Sequence, residues 1–454
     1  MKINTRSPYH INVSTLAVLQ IETATVVGTI TTAGNATVTV TGALVTGTPL
    51  VVSVAVALDD TATQIAGKIR TAFNVSAITT SYTVSGEKTE VILTVKVAAA
   101  NDTTLNIAVA NDTCAGITAN ATSADTQVGN GALTSAKLEL YVYTGTQITD
   151  RGAIDYTMKS TVFNSEVTFE ISELVNDFLD ITFDGTYTGQ NVWVDYQITR
   201  TLLTVEQAPD TVVTLTGFNG LGYFNNGVNP QLSSKVLMSN TTFYNFEFQA
   251  TSIPVQQDTL TKIEYLLGVV VVHYENITAV STHDKVIRYA NFDEAGTFDS
   301  ILFTFTVGTE TILIETIEEP KHTPYKLTFV NKFGALQDLW FFKRTNKTLS
   351  TTENKYKANI LTSGTYSINN HQSRILNKQG NEKLTLNSGF YPEAHNEVFA
   401  QLFLSEKVWI SFENQVLPIN ITSSSFSYQT QLNDKLINHT IDCEFAFDKI
   451  NNIR

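Results

Sequence analysis

Thr61-Ala-Thr-Gln-Ile-Ala-Gly-Lys-Ile-Arg-Thr-Ala-Phe73 sets Ala62, Ile65, Ala66, Ile69 and Phe73 at three- and four-residue spacing, with Lys68 and Arg70 off that stripe. The spacing predicts a helix of about three turns with one buried face, opened by the capping-box form Thr61-Ala-Thr-Gln64. Its neighbours have a period of two. Asn35-Ala-Thr-Val-Thr-Val-Thr41 and Pro49-Leu-Val-Val-Ser-Val-Ala-Val56 are rich in β-branched residues and read as strands. Ser81-Tyr-Thr-Val84 and Val91-Ile-Leu-Thr-Val-Lys-Val97 follow, joined by Ser85-Gly-Glu-Lys88 as a hairpin turn, and a last strand is expected from Thr104 to Val109. The elements make one small α+β unit.

Composition marks the edges of that unit. From about Ile21 to Ala132 the only aromatic residues are Phe73 and Tyr82, and they return at once in Leu138-Glu-Leu-Tyr-Val-Tyr143. Tyr9-His-Ile-Asn-Val13 and Leu16-Ala-Val-Leu19 on one side, and Ala136 to Tyr143 on the other, alternate as strands of one interrupted domain. An insertion needs host ends that lie close together, and a hairpin tip is the expected place.

Beyond the insertion the chain reads as strands at Ala153 to Met158, Val167 to Ile171 and Asn191 to Ile198. A short capped helix, Ser172 to Leu179, interrupts them with Leu174, Val175, Phe178 and Leu179 inward. Strand-like runs recur at Phe243 to Phe248, Ile263 to His273, Val286 to Tyr289, Ile301 to Val307 and Thr311 to Ile317. The segment Glu318-Glu-Pro-Lys-His-Thr-Pro324 reads as a linker. In the last region Pro392, Val398, Phe399, Leu402 and Phe403 predict one helix near 392–404 packed on a sheet, and Ser425 to Thr430 with Ile437 to Phe447 read as a hairpin turning at Asn433-Asp434.

The expected fold class is therefore mainly β, with serial β-sandwich domains, an inserted small α+β module and a C-terminal β-rich domain containing one helix. The expected divisions are residues 1–20 with 133–205 as host sandwich, 21–132 as insert, 206–320 as a second sandwich with a Gly/Asn-rich connecting loop, and 321–454 as the C-terminal domain.

Hydrophobic residues at 43% and charged residues at 16% describe a well-packed chain rather than a disordered one. The net charge of −14 is uneven: Lys321 to Arg454 carries fifteen Lys/Arg and eleven Asp/Glu, the remainder fourteen and thirty-two. An acidic body does not wrap nucleic acid, whose affinity comes largely from phosphate neutralisation. The basic cluster Lys343, Arg344, Lys347, Lys355, Lys357 reads as a solvated hairpin face or a subunit contact. The start, Met1 to Tyr9, has no apolar run of signal-peptide length and reads as mature sequence. The run Leu266-Leu-Gly-Val-Val-Val-Val272 is far short of the roughly 20 residues of a membrane span.

No catalytic, cofactor-binding or metal-binding residue is singled out, and no cofactor is expected. The histidines at 10, 273, 283, 322, 371, 395 and 439 do not share ligand spacing on a predicted helix, and Cys114 and Cys443 fall in separate blocks. Asp59-Asp60 and Glu318-Glu319 read as a helix start and a linker, since a glycosidase needs carboxyls facing across a cleft. Gly217, Gly220 and Gly222 are not followed by the Lys-Ser/Thr of a phosphate loop. In the loop Gly217 to Pro230, Phe218, Tyr223 and Phe224 are the residues able to stack on sugar rings, or alternatively to cap a core or plug a neighbouring subunit.

Thr31 to Thr41, Thr61 to Phe73 and Ala98-Ala-Ala-Asn-Asp-Thr-Thr-Leu-Asn-Ile-Ala-Val109 together resemble a module embedded in tail and other virion proteins of double-stranded DNA bacteriophages. Ser7-Pro-Tyr, Leu138-Glu-Leu-Tyr-Val-Tyr-Thr-Gly-Thr, Gly222-Tyr-Phe-Asn-Asn-Gly-Val-Asn-Pro-Gln231 and Tyr428 to Ile441 resemble structural proteins of phages infecting Bacteroidota. The resemblance implies a non-enzymatic tail or baseplate component, assembled in the host cytoplasm and residing in the virion. Its implied partners are other virion proteins and further copies of itself in a ring or symmetric assembly, with the insert projecting. Nucleic acid is not among them. The alternative is a receptor- or glycan-binding adhesin meeting a host-surface glycan.

Overall fold

A computed structural model describes residues 1–14, 18–118, 123–145, 147–231, 234–246, 249–257, 259–278, 287–292, 298–430 and 436–450. Strand accounts for 52% of the protein and helix for 9%, so it is mainly β, arranged as serial sheets. Leu16 and Ala17, residues 247–248, His283, Val286 and the turn at Asn433-Asp434 lie outside the described residues.

Residues 24–117 build a hydrophobic cluster of their own, from Ala24 to Ile117. Helix α1 (Ala62–Asn74) buries Ile65, Ala66, Ile69 and Phe73, the stripe read from spacing, and Gln64 Oε1 accepts the Thr61 backbone N–H at 2.9 Å. Full burial of Ile69 and Phe73 contributes about 1.5–3 kcal/mol each. The helix packs on a three-stranded sheet (Leu50–Val56, Gly34–Thr41, Asn106–Asn111) and a four-stranded one (Ala124–Gln127, Ile21–Thr25, Glu90–Val95, Tyr82–Ser85).

The insertion does not sit at a hairpin tip. His10–Ser14, before the block, pairs with Glu166–Glu170, whereas Leu133–Tyr143, after it, pairs with Tyr156–Thr161 and Val192–Leu202 in another sheet. The block thus interrupts a crossover between the two layers of a sandwich, whose faces meet through Ile11, Val13, Val167 and Phe169 against Leu138, Leu140 and Val194. Its ends are nevertheless clamped together. Val18 N donates to Asn130 Oδ1 at 2.7 Å, Asn130 N donates to Val18 O at 3.0 Å, and just inside the block Ile21–Thr25 pairs with Ala124–Gln127 at one side of the four-stranded sheet. Joining Leu19 to Gly129 by a short Gly/Ser turn is expected to leave the remainder folding cooperatively. A chain so shortened that loses its sharp urea transition would make the block integral to the host core.

The rest of the chain is more entangled than serial division suggests. Val213–Phe218, expected in the second sandwich, lies in the host sheet, parallel to Lys2–Asn4 and antiparallel to Val192–Leu202. The host cluster also takes in Leu237, Ile287, Tyr289, Val330, Phe333, Ala335, Leu336 and Trp409 from later segments. The strand Leu336–Phe341 is accordingly buried along its whole length, with Leu336 in the host cluster and Leu339, Trp340 and Phe341 in the C-terminal one. Although both faces are covered, the strand is not a continuous apolar run, because Gln337 and Asp338 are buried within it.

A five-stranded sheet (Thr242–Phe246, Thr309–Ile317, Ser300–Phe305, Leu260–Leu267, Val270–Asn276) packs against the pair Thr251–Gln256 and Ile287–Phe292 around Ile253, Val255, Ile263, Ile301 and Phe303. The run expected as one strand from Ile263 to His273 is two, because Gly268 at φ 61° turns the chain back between Leu267 and Val270. The C-terminal sheet has seven strands, in the order Leu336–Phe341, Tyr325–Val330, Val408–Phe412, Gln415–Ile421, Leu436–Phe445, Ser373–Pro392, Asn346–Lys357. It curls so that Tyr391 Oη, from the sixth, donates to Trp340 O of the first at 2.8 Å. Inside the curl lies α3 (Asn396–Leu404), with Val398, Phe399 and Leu402 fully packed.

Two local expectations differ from what is found. Helix α2 is confined to Ser172–Asn176, and Phe178 is 37% exposed, meeting Tyr156 edge-on. Residues 425–430 form no strand; Phe426 and Tyr428 meet edge-on, and the Phe426 ring lies against Phe403 and His439.

Candidate assembly surfaces

Segments far apart in the chain converge on α3. Ser7 and Gly222 exchange hydrogen bonds, the Gly222 N–H reaching Ser7 Oγ at 2.7 Å. Asn229 brackets the backbone of His10 through two bonds of 2.7 Å. Tyr223 Oη donates to Glu397 at 2.9 Å, Lys332 reaches the same carboxylate at 3.2 Å, and Asn396 Nδ2 donates to Gln429 O at 2.7 Å. Ser7-Pro-Tyr, Gly222 to Gln231 and the start of Tyr428 to Ile441 are thus one structural region, a relation invisible in sequence order. Of the three loop aromatics, Phe218 is buried with Lys2 5.7 Å from its ring, and Tyr223 is tied to Glu397. Phe224 alone stands free, at 99% exposure. They form no shared platform for a sugar ring.

A polar node joins the host domain to the C-terminal sheet. Buried Asp338 accepts from Tyr187 Oη at 2.5 Å and from Thr328 Oγ1 at 2.6 Å, with Lys326 Nζ at 3.6 Å. Burial first, and the Asp338 charge second, push the Tyr187 hydroxyl far above its ordinary range. Nearby, Leu336 N donates to the buried Tyr289 Oη at 2.7 Å, so a third segment is bound in.

The basic cluster lies on and beside a projecting β-ribbon. Asn346–Lys357 pairs with Ser373–Pro392 from Asn346 opposite Thr385 to Lys357 opposite Ser373. On its far side Ser373–Pro392 is paired with Leu436–Phe445 only from Lys383 onward, and Asp448 to Ile450 bond to Gln379 and Gly380, so among the described residues the stretch beyond Gln379 is a pair of strands. Almost every residue there is exposed, on both faces, among them Leu349, Tyr356, Tyr366, Ile368 and Leu376. Lys347 meets Glu382 at 3.0 Å and Lys355 meets Glu353 at 2.5 Å. Lys343 meets Glu319 at 2.5 Å, holding the Glu319 carboxyl down to about 2.

Two clefts flank the ribbon root. One, of about 280 Å³, is lined by Lys347, Glu382, Phe412, Phe445 and Lys449. The other, of about 730 Å³, has Tyr325 stacked on Phe412 (5.8 Å, 14° between planes) beside Phe246, Trp340 and Lys326. Glu413 is the single carboxylate among the described residues lining it, where glycoside hydrolysis uses a facing pair. Among the described residues no group of three or more His, Cys, Asp or Glu side chains is placed to hold a metal ion, and no helix is long and apolar enough to cross a membrane.

His395 and His439 lie buried beside the aromatic core, His439 with its ring 4.6 Å from that of Phe399 and His395 with its ring 5.1 Å from that of Tyr391. His439 shares its face with Ile437, Ile441 and Cys443, so strand alternation alone places it inward. Burial pushes His395 down to about 4 and lowers His439 too. Around His395 stand Tyr244, Tyr391 and the Asn240 amide, which lies 2.8 Å from Nε2. An unfolded imidazole titrates near 6.5, so below that pH the unfolded chain takes up the proton first. Stability present above pH about 6.5 is lost as the pH falls, by about 3 kcal/mol when the folded pKa is reached. Urea midpoints of the protein and of His395→Gln across this range test it; parallel profiles would contradict it.

No protein-family model matches the chain, and no curated protein matches it significantly in sequence.

Proposed function

We propose that the protein is a non-enzymatic structural component of a bacteriophage virion, of the tail or baseplate, residing in the particle and assembling with other virion proteins. The observation that carries the reading is the division of the fold. Host, second and C-terminal segments all contribute to one cluster near Asp338 and Tyr289, while residues 24–117 keep a separate core, joined to the host through the two segments clamped at Val18 and Asn130. A rigid body that anchors and a module that projects is the arrangement expected of a component of an assembled particle. The phage-like wording of the module and of the region around α3 supports the same reading. Mass spectrometry of density-purified particles from a phage encoding this chain is expected to find it in several copies per virion. Recovery only from the soluble lysate would overturn the assignment.

The groove of Tyr325, Phe412 and Trp340 favours a second reading, an adhesin that takes a host-surface glycan, because aromatic faces beside amide and carboxylate groups suit sugar rings. Glycan-array binding that is lost in Tyr325→Ala would support it, and a blank array would remove it.

A further inference from the structure

The ribbon poses a physical problem. Two strands without a third, and without a covered face, are marginal in water. Between the pairs Glu353 with Lys378 and Lys357 with Ser373 the uncovered ribbon extends roughly 15 Å at about 3.3 Å per residue. Among the described residues its outer strand, Asn346–Lys357, is the edge of its sheet and presents a row of backbone donors and acceptors to the outside.

Among the described residues a second sheet edge lies elsewhere on the same chain. Val270–Asn276 ends the five-stranded sheet, and Val270, Val271, Val272 and Tyr274 are all exposed, with Val269 at the turn 95% exposed. Glu275, paired with Arg288, is the strand's one carboxylate, and the apolar edge before it is a template for pairing. The charges are complementary. Residues 346–379 carry Lys347, Lys355, Lys357, Arg374 and Lys378 against Glu353 alone, whereas residues 241–319 carry twelve Asp/Glu and three Lys/Arg.

We propose that the β-ribbon of one copy pairs by strand addition with the Val270–Asn276 edge of a second copy. Backbone hydrogen bonds supply the affinity, and the cationic ribbon on the acidic domain sets the orientation. Donor and acceptor are different surfaces, so the contact is head-to-tail, and successive copies close into a ring when the rotation permits. The inference goes beyond the virion assignment and does not depend on it, because the purified chain alone reports it.

The test uses full-length single-cysteine variants, Thr352→Cys on the ribbon and Val272→Cys on the edge. The native Cys114 and Cys443 are buried and stay silent. Mixing the two variants in low salt and oxidising is expected to give a cross-linked pair containing one of each. Cross-links only between ribbons, or none from a chain that sediments as a monomer, would overturn the proposal. The double variant Lys355→Glu, Lys357→Glu is expected to keep the native circular dichroism and raise the dissociation constant of self-association at least about tenfold, as added salt does for the unaltered chain. Unchanged association in that variant would equally overturn it.

Discussion

Asp338→Ala is expected to destabilise the body by about 3–5 kcal/mol, the range for removing one partner of a buried charged network. The carboxylate takes two short hydrogen bonds, from Tyr187 and Thr328, and faces Lys326. Alanine leaves both hydroxyls without this acceptor and leaves a partly buried ammonium without its counter-charge. Tyr187 belongs to the host segment and Asp338 to the C-terminal sheet, so the loss falls on the contact that fuses them. Tyr187→Phe removes the donor to Asp338 and an acceptor of Lys326 Nζ at 3.1 Å but leaves the carboxylate in place, and is expected to cost about 1–2 kcal/mol. Urea unfolding of both single variants and the double variant measures the coupling, and additive costs would mean that the two side chains do not cooperate.

Gly116→Val is expected to unfold the module and spare the body. Gly116 lies at φ 115°, at the register shift where the strand Ala115–Thr118 meets Val27–Thr32, next to Ile117, which pairs with Gly28 at φ 114°. A Cβ on Gly116 would overlap the Thr29 carbonyl oxygen and come within 2.7 Å of Thr31 N, both backbone atoms that cannot swing aside. Strain at such a backbone angle costs about 1–3 kcal/mol for a non-glycine residue, and the overlap adds to it. Calorimetry is expected to show an early transition for the module and an unshifted one for the rest. One merged transition moving as a whole would mean that module and body fold as a unit.

What could be read from the sequence was local. Ile65, Ile69 and Phe73 gave the helix because a single face is buried, and Pro392 with Val398 and Leu402 gave α3 for the same reason. Pairings across long stretches were not legible: His10–Ser14 finds Glu166–Glu170, and Lys2–Asn4 finds Val213–Phe218, with nothing in either strand naming its partner. Alternation misled at Phe426 and Tyr428, where ring contact rather than strand pairing puts the aromatics to use. Of the surfaces, the lysines of the ribbon were visible as a cluster. The ribbon's reach was not, because it depends on where the neighbouring strand Leu436–Phe445 and the residues after it stop covering it. Asp338 sat unremarked within Leu336-Gln-Asp-Leu-Trp-Phe341, since only the fold brings Tyr187 to it.

The central claim, a virion component with an anchored body and a projecting module, is tested most directly by electron microscopy of intact phage particles carrying a gold label on the module, at the exposed Val75 beyond α1. The expected image has label in a symmetric set around the tail or baseplate, standing off its surface. Label on the capsid, or particles that carry none, would contradict the account.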